Sequence, residues 1–379
     1  MSATETDHTR VGSKSEALDS ATENQARARV ALKAALAGEP SHAYLFRGPR
    51  GAGKRAAARA FAAEVLAAAA ADPEDARRRA LLDPSPHPDL VWLAPIGAQH
   101  MVEEVRERVI RAAAYRPFEG GKRVFVIQAA EAMRDESQNA LLKTLEEPPA
   151  FVHLILLSSD QEGLLETVAS RCQTIEFAPL PAPVVEAELA GEGEPDEVAA
   201  AARLAAGDLE RARLLLSERG RELRVEAERC VAAVLEGECA GAPWKALLDR
   251  AQAAGGDAED AAREALSEEA KAGIKRSAKE VGDGAKRAGR RRRTEILGLG
   301  FELCALWLRD LAAVAAGADE VVFNRDRLQK LRAQAEGLDT GLARRGAELV
   351  QETQRGLELN VSEELALEAL FFRLEALLA

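Results

Sequence analysis

The strongest chemical signal in the sequence is a glycine-rich loop that could hold a phosphate group. Residues 48–54 fit the pattern Gly-x-x-x-x-Gly-Lys and follow a short apolar run. Glycines let the backbone fold around a phosphate, and Lys54 would add a full positive charge. The glycines concerned are Gly48, Gly51 and Gly53. The loop is typical of a phosphate-binding loop, and the alternative is a strand-to-helix turn without a ligand.

The residue that follows Lys54 breaks the pattern. A phosphate loop that works with Mg²⁺ has Ser or Thr at this position, because a hydroxyl oxygen ligates the ion. Here the position is Arg55, and a guanidinium donates hydrogen bonds but cannot ligate a cation. The loop therefore indicates a nucleotide-binding ancestry, whereas Arg55 argues against ATP hydrolysis.

The acidic pair that would complete an ATPase site is also missing. In phosphate-loop ATPases an Asp at the end of a buried strand orients the metal ion, and a neighbouring Glu activates water. The apolar run 124–127 ends instead in Gln128 and Ala129, and Glu131 lies three residues too far along. We expect no metal site here and no independent ATPase activity.

A third candidate is Arg171, in a Ser-Arg-Cys run just before an apolar strand pattern. An arginine at a domain edge can stabilise charge on the γ-phosphate in a neighbouring subunit, an effect of roughly 10³ to 10⁵ in rate. Such an arginine can equally be a solvated surface residue, and the chemistry alone leaves both interpretations open. Cys172 is predicted to be a small buried residue that packs the strand.

Alternating strand and helix patterns position these residues in the first half of the chain. Five short apolar runs predict strands, and the segments between most of them have helical periodicity. The first run begins at Tyr44, and the others are 89–93, 124–127, 152–157 and 174–177. This alternation indicates a parallel sheet covered on both faces, with ligands at the carboxyl ends of its strands. Residues 73–88 are predicted to be an irregular connection.

The second half of the chain has helical patterns only, which indicates an α/β plus all-α protein. The predicted parts are a disordered tail at 1–21, a phosphate-loop domain at 22–180, a small helical lid at 181–217 and a helical domain at 218–379. Turns are expected at Gly255–Gly256, Gly317, Asn324 and Gly337. The leucines of the final helix are assigned mainly to the core, and some of them could face another subunit.

Length, net charge and cysteine content limit the kinds of protein that this chain could be. A length of 379 residues suggests two or three domains. The net charge of −12 argues against a protein that grips nucleic acid over its whole surface. Four cysteines without C-x-x-C spacing fit a reducing compartment. The polar first residues contain no secretory signal, so the chain is expected to be cytoplasmic and without a membrane partner.

One strongly basic run lies at 286–293 and includes four consecutive arginines. Such a run could contact DNA phosphates or an acidic partner, and its binding would then depend on salt. The alternative is a solvated helix face or linker that offsets the acidic residues around it. The sequence leaves both interpretations open.

The chain resembles bacterial clamp-loader subunits in four segments whose order and spacing are specific. They are His-Ala-Tyr-Leu-Phe-Arg-Gly-Pro at 42–49, Asn-Ala-Leu-Leu-Lys-Thr-Leu-Glu-Glu-Pro-Pro at 139–149, Leu-Leu-Ser-Ser-Asp at 156–160 and Ser-Arg-Cys-Gln at 170–173. The resemblance extends over residues 20–215. It implies an AAA+ P-loop NTPase-like module with a parallel five-stranded sheet, a small helical lid and a C-terminal helical collar domain that joins a ring.

The resemblance also implies a role for Arg171 and a set of partners. Arg171 would be an arginine finger, given in trans to the ATP site of a neighbouring gamma/tau subunit. The partners would be the gamma/tau and delta subunits, with the sliding clamp and primed DNA reached through the complex. The degenerate loop and the missing acidic pair are more similar to a non-hydrolysing ring subunit than to an active gamma/tau-like ATPase, which is the alternative.

Three departures from the family pattern affect the expected cofactors. Relatives often have four zinc-binding cysteines after the loop helix, but none occurs between Arg55 and Asp89, so no zinc is predicted. No cofactor is expected to be required, and weak ATP or ADP binding by the loop is left open. Ser158 and Ser159 stand at a sensor-like position, where a role in capping the strand is favoured. Glu210 falls where an active ATPase would present a sensing arginine.

Overall fold

The computed structural model describes residues 16–159, 163–271, 277–356 and 362–378. The chain divides into two compact units. The first comprises Met1–Pro95 and Gln99–Pro179, and the second comprises Ile96–Ala98 and Leu180–Ala379. The predicted phosphate loop and Arg171 both belong to the first unit.

Within the described residues, the first unit is built on one parallel sheet of five strands. They are β1 Ala43–Arg47, β2 Leu90–Leu93, β3 Arg123–Gln128, β4 Val152–Ser158 and β5 Gln173–Glu176. Their order is β2-β3-β4-β1-β5, and all neighbouring strands are parallel. Every residue of β4 is buried, as expected for a central strand covered on both faces. The five predicted strands are confirmed.

Helices cover both faces of this sheet. They are α1 Glu16–Ala21, α2 Ala26–Ala37, α3 Lys54–Ala67, α4 Pro73–Leu81, α5 Val102–Val105, α6 Asp135–Glu146 and α7 Glu166–Ala169. One core, which includes Tyr44, Phe46 and Phe61, lies on the face covered by α1 to α4. The opposite core includes Phe125 and Leu141 and lies beneath α5 to α7. The helix α5 continues into a π-helical turn, Arg106–Arg111.

Two segments of the first unit differ from the prediction. Residues 16–21 were assigned to the disordered tail, but they form α1, because Leu18 is fully buried in the core. Residues 1–15 lie outside the described residues. The connection at 73–88 was predicted to be irregular, but it begins with α4. Pro73 stands at the first position of this helix, and Asp72 caps it by accepting a bond from the Asp75 amide at 3.1 Å.

The described part of the second unit contains helices and no strand, as predicted. The helices are α8 Ala182–Glu188, α9 Pro195–Leu204, α10 Leu209–Leu216, α11 Glu218–Glu236, α12 Lys245–Lys271, α13 Ala278–Ala315, α14 Leu328–Ala335, α15 Thr340–Gly356 and α16 Glu363–Leu378. One apolar core runs from Val185 on α8 to Leu374 on α16, so the predicted lid and collar segments share it. None of the described helices combines the length and the apolar character that a membrane crossing requires.

The turn predicted at Gly255–Gly256 is wrong, because both residues lie inside α12. A Cβ on Gly255 would lie 2.9 Å from the Gly289 carbonyl oxygen, and a Cβ on Gly289 would lie 2.9 Å from the Gly255 oxygen. The two glycines therefore allow α12 and α13 to approach closely. Gly317 and Gly337, in contrast, have positive φ and follow helices, as predicted.

Candidate functional site

The glycine-rich loop connects β1 to α3 at the carboxyl end of the sheet. Gly51 and Gly53 have φ values of 69° and 86°, a region that side chains disfavour. A Cβ on Gly48 would lie 2.1 Å from the Phe177 carbonyl oxygen. The predicted glycines are therefore required by the backbone of the loop itself.

Lys54 turns back onto this loop. Its Nζ donates to the carbonyl oxygens of Gly48 at 2.5 Å and Pro49 at 2.6 Å, and to Ser159 Oγ at 3.3 Å. The residue is only 7% exposed. An ammonium group has three donors, and these three bonds are all made to the protein. Oxygens of the chain thus surround the Lys54 ammonium group. In a nucleotide site a phosphate would balance this charge.

Arg55 and Arg59 lie one helical turn apart on α3 and share one carboxylate. Arg55 Nη2 is 2.5 Å from Asp83 Oδ2, and Arg59 Nη2 is 2.9 Å from Asp83 Oδ1. Both guanidinium groups lie over the Trp92 ring, at 5.8 and 4.6 Å from its centroid. Burial lowers the pKa of Arg59, and Asp83 acts in the opposite direction. The position that holds a metal-ligating hydroxyl in a working phosphate loop is therefore occupied by a guanidinium that is paired with Asp83 and is 48% exposed.

The end of β3 joins the same cluster. Trp92 Nε1 donates to Gln128 Oε1 at 3.3 Å, and the next residue, Ala129, has a positive φ of 51°. His100 Nε2 lies 2.8 Å from the Gln128 carbonyl oxygen, and burial lowers the pKa of this histidine. We call Arg55, Arg59, Asp83, Trp92 and Gln128 the Arg55 cluster.

Glu131 and the two serines after β4 form a separate contact. Glu131 Oε1 accepts a hydrogen bond from the Ser159 amide at 3.2 Å. Ser158 is buried, and its carbonyl oxygen accepts from the Gly48 amide at 3.3 Å. These main-chain bonds close the end of β4 against the loop, and the Ser159 hydroxyl accepts from Lys54. The capping role of the two serine side chains stays a prediction. The Glu131 carboxylate is thus bonded at the end of β4 and does not lie beside Gln128.

Arg171 lies between α7 and β5. Its Nη1 donates to the Thr167 carbonyl oxygen at 2.8 Å, and its Nη2 donates to Glu146 Oε1 at 2.6 Å. The side chain is 36% exposed. Cys172 packs against the core beneath α5 to α7, and burial raises the pKa of its thiol to about 12. Cys172 is partly buried in this core, whereas Ile175 of β5 belongs to the opposite core, so the predicted packing against the fifth strand is not borne out. The raised pKa shows a thiol that is not activated as a nucleophile.

The strand register separates Arg171 from the glycine-rich loop. Gln173, the first residue of β5, pairs with Tyr44 near the start of β1, whereas Gly48 follows the end of β1. Arg171 therefore lies roughly 20 Å from Gly48 along the strand direction, at about 3.3 Å per residue. The arginine is at the amino end of the sheet and the loop is at the carboxyl end. Arg171 therefore cannot contact a phosphate bound at the loop of its own chain.

In the second unit, the residues next to the expected sensing position make local contacts. Asp208 accepts a hydrogen bond from the Arg211 amide at 3.1 Å and so caps α10. Arg211 Nη2 lies 2.7 Å from Glu302 Oε2 on α13. Glu210 lies in the first turn of α10, and its correspondence to a sensing position stays a prediction.

The basic run at 286–293 is part of α13, so its residues are distributed around a helix axis rather than on one face. Arg291 and Arg292 pair with Glu295 at 3.0 and 3.6 Å, and Arg293 pairs with Glu363. Lys286 and Arg290 are exposed. The ion pairs reduce the charge available to DNA, and the DNA-contact interpretation stays a prediction.

Sequence reasoning missed several residues of these two sites. Arg59 could have been found, because it lies four residues after Arg55 on the same helical face. Asp83 and Trp92 come from distant segments, and no local pattern indicates their contact. Glu146 was noted only within the Glu-Glu-Pro-Pro segment. Among the described residues, no group of three or more His, Cys, Asp or Glu side chains could hold a metal ion.

The strand order β2-β3-β4-β1-β5, with a glycine-rich loop after β1, defines the first unit as an AAA+ P-loop NTPase-like module. Residues 24–181 match the family model described as "DNA polymerase III, delta subunit". The predicted resemblance to bacterial clamp-loader subunits is thus confirmed over this part of the chain, and two curated relatives that align with it are delta-prime subunits.

Both of these relatives are named DNA polymerase III subunit delta'. The protein from Pseudomonas aeruginosa is 35% identical over 54% of this chain and 64% of its own length. The protein from Bacillus subtilis is 33% identical over 39% of this chain and 46% of its own length. The chain therefore spans about half to under two thirds of these relatives.

Subunits of another type also align. The tau/gamma subunit of Haemophilus influenzae is 35% identical over 35% of this chain and 19% of its own length. A crystal structure of a gamma subunit-related protein from Thermotoga maritima covers 92% of this chain and 99% of its own, with 15% identity and a TM-score of 0.44.

Proposed function

We propose that this chain is a cytoplasmic delta-prime-type subunit of a DNA polymerase III clamp loader. It does not hydrolyse ATP itself, and it supplies Arg171 to the ATP site of a neighbouring gamma/tau-type subunit. Its partners are gamma/tau-type and delta-type subunits, and it reaches the sliding clamp and primed DNA through their complex. The family match at 24–181 and the delta' relatives support this proposal.

The observation that carries the proposal is the Arg55 cluster. Mg²⁺ requires oxygen ligands in octahedral geometry, and the two positions that would supply or orient them are Arg55 and Gln128. Arg55 is bonded to Asp83, and Gln128 accepts from Trp92. A guanidinium at this place repels a divalent cation. The cluster thus supports a chain that lacks its own metal-assisted hydrolysis.

The opposite end of the sheet supports the role in trans. Arg171 has five N–H donors, of which two are bonded to Glu146 and Thr167. The exposed part of the side chain leaves donors for a phosphate outside the chain. Since the strand register keeps Arg171 far from its own loop, the phosphate that it meets belongs to another subunit.

The second candidate is an active, gamma/tau-like ATPase. The retained Gly48-to-Lys54 loop and the tau/gamma relatives favour it, whereas Arg55, Gln128 and Ala129 oppose it. The proposed subunit needs no cofactor and no zinc. Residual ATP or ADP binding would require Lys54 to release the carbonyl oxygens of Gly48 and Pro49.

Reconstitution tests the proposal. The chain is purified alone and with gamma/tau-type and delta-type subunits, and the mass of the complex and the ATP turnover are measured with sliding clamp and primed DNA. We expect one stable complex, no turnover by the chain alone, and stimulated turnover by the complex. Turnover by the isolated chain that Lys54→Met abolishes would instead establish the gamma/tau-like alternative.

A further inference from the structure

The guanidinium of Arg171 is held from two sides by different elements of the first unit. Glu146 is the last residue of α6, and Thr167 lies in α7. The two bonds, at 2.6 and 2.8 Å, use different terminal nitrogens of Arg171. A planar guanidinium anchored at two nitrogens has a defined orientation, whereas an unanchored arginine samples many rotamers.

We propose that Glu146 is a positioning residue for Arg171. It orients the guanidinium so that the remaining donors point out of the subunit, towards the phosphate of the neighbouring ATP site. This inference rests on the proposed function, because it concerns the group that the chain would supply in trans. Glu146 does not itself contact ATP.

The end of α6 fixes the position of the Glu146 carboxylate. The helix α6 ends at Glu146, because Pro148 and Pro149 follow and cannot continue it. Leu145, one residue earlier, is buried in the core and anchors the last turn. The carboxylate is therefore presented from a helix end rather than from a flexible loop.

The second anchor is equally local. The Thr167 carbonyl lies in the single turn of α7, where carbonyl oxygens have few partners within the helix. The Arg171 amide donates to the Val168 carbonyl oxygen at 3.2 Å, which fixes the backbone of the arginine. Backbone and guanidinium are thus both placed before any neighbour binds.

The ion pair does not prevent phosphate binding. Its two side chains are 36% and 49% exposed, and exposed ion pairs contribute little to stability. A phosphate can bond to the outward N–H groups while the bond to Glu146 persists. The carboxylate therefore orients the finger without neutralising it by burial.

The chain offers a matched control for this residue. Glu147 is the next residue, carries the same charge and is exposed. Within the described part of the chain its side chain has no ion pair, and its amide bonds only to the Lys143 carbonyl oxygen. Replacing Glu147 changes the net charge as replacing Glu146 does, but leaves Arg171 anchored.

The test uses the full complex of this chain with gamma/tau-type and delta-type subunits. The Arg171-dependent turnover is defined as the difference in ATP turnover between complexes with the wild-type chain and with Arg171→Ala. We expect Glu146→Ala to retain roughly one fifth to one half of it, since losing an exposed ion pair of this kind typically changes an equilibrium by no more than about fivefold. Glu146→Gln, which keeps an acceptor oxygen, should retain more than half, and Glu147→Ala should retain all of it.

Further readouts separate positioning from a general structural role. The half-saturating ATP concentration, the melting temperature and the mass of the Glu146→Ala complex should match the wild type. The double variant Glu146→Ala with Arg171→Ala should equal Arg171→Ala alone. Unchanged or increased turnover in Glu146→Ala, or an equal loss in Glu147→Ala, would overturn the inference. If Arg171→Ala itself has no effect, the proposed function fails instead.

Discussion

The two ends of the five-stranded sheet differ in where their charged groups are directed. At the carboxyl end, Lys54 is 7% exposed and donates to oxygens of the chain, and Arg55, which is 48% exposed, is paired with Asp83. At the amino end, Arg171 is anchored by Glu146 but is partly exposed. Under the proposed function, one fold has lost the groups for its own hydrolysis and has kept the group that completes a neighbour's site.

The largest expected effect concerns the amino end. Arg171→Ala removes the charge that would stabilise the transition state in the neighbouring site, and arginine fingers contribute roughly 10³-fold or more there. The stimulated ATP turnover of the complex should therefore fall by the share that the neighbouring site contributes, while the mass of the complex is unchanged. Arg171→Lys keeps the charge but loses the forked donors, and it should restore only a small part. Full activity in Arg171→Ala would remove this residue from the mechanism.

The next effect concerns the carboxyl end, where we expect Gly48→Ala to destabilise the isolated chain by about 2–4 kcal/mol. Its Cβ would collide with the Phe177 carbonyl oxygen, 2.1 Å away. Gly38→Ala is the control, because the nearest atom to its Cβ would be 3.7 Å away. Urea unfolding of both variants measures the difference. Equal stability of the two would show that the loop is not built as described.

A smaller loss of stability is expected for Lys54→Met, about 1–2 kcal/mol, because the carbonyl oxygens of Gly48 and Pro49 lose their donor. Lys143→Met, at an exposed position of α6, is the control and should be near neutral. Urea unfolding again measures both. A Lys54→Met chain as stable as wild type would mean that this ammonium group is not a structural part of the loop.

The smallest expected effect is a pH dependence shared by both ends. Burial is the main cause that lowers the pKa of His87, His100 and His153. Since the unfolded value is about 6.5, the unfolded chain binds more protons than the folded chain below that pH. The free energy of unfolding should therefore fall as the pH drops below about 6.5. Urea unfolding at pH 7.5 and 5.5 checks this, and His100→Gln should reduce the fall. Stability that rises on acidification would contradict it.

The strands and the glycine-rich loop could be predicted from local sequence patterns. The strands were found because buried parallel strands are continuous apolar runs, and the glycines were found because the phosphate loop has a fixed spacing. The Arg55 cluster could not be found in this way, since Asp83 joins Arg55 across 28 residues. The same holds for Glu146 and Arg171, and for Gly255, whose role depends on a helix crossing. These contacts are set by tertiary packing, which no local spacing encodes.

One comparison tests the central claim most directly. Two complexes, one with the Lys54→Met chain and one with the Arg171→Ala chain, are assayed for ATP turnover with saturating ATP, sliding clamp and primed DNA. We predict that the Lys54→Met complex matches the wild type and that the Arg171→Ala complex loses turnover at the neighbouring site. Loss of turnover in Lys54→Met, with normal turnover in Arg171→Ala, would contradict the account.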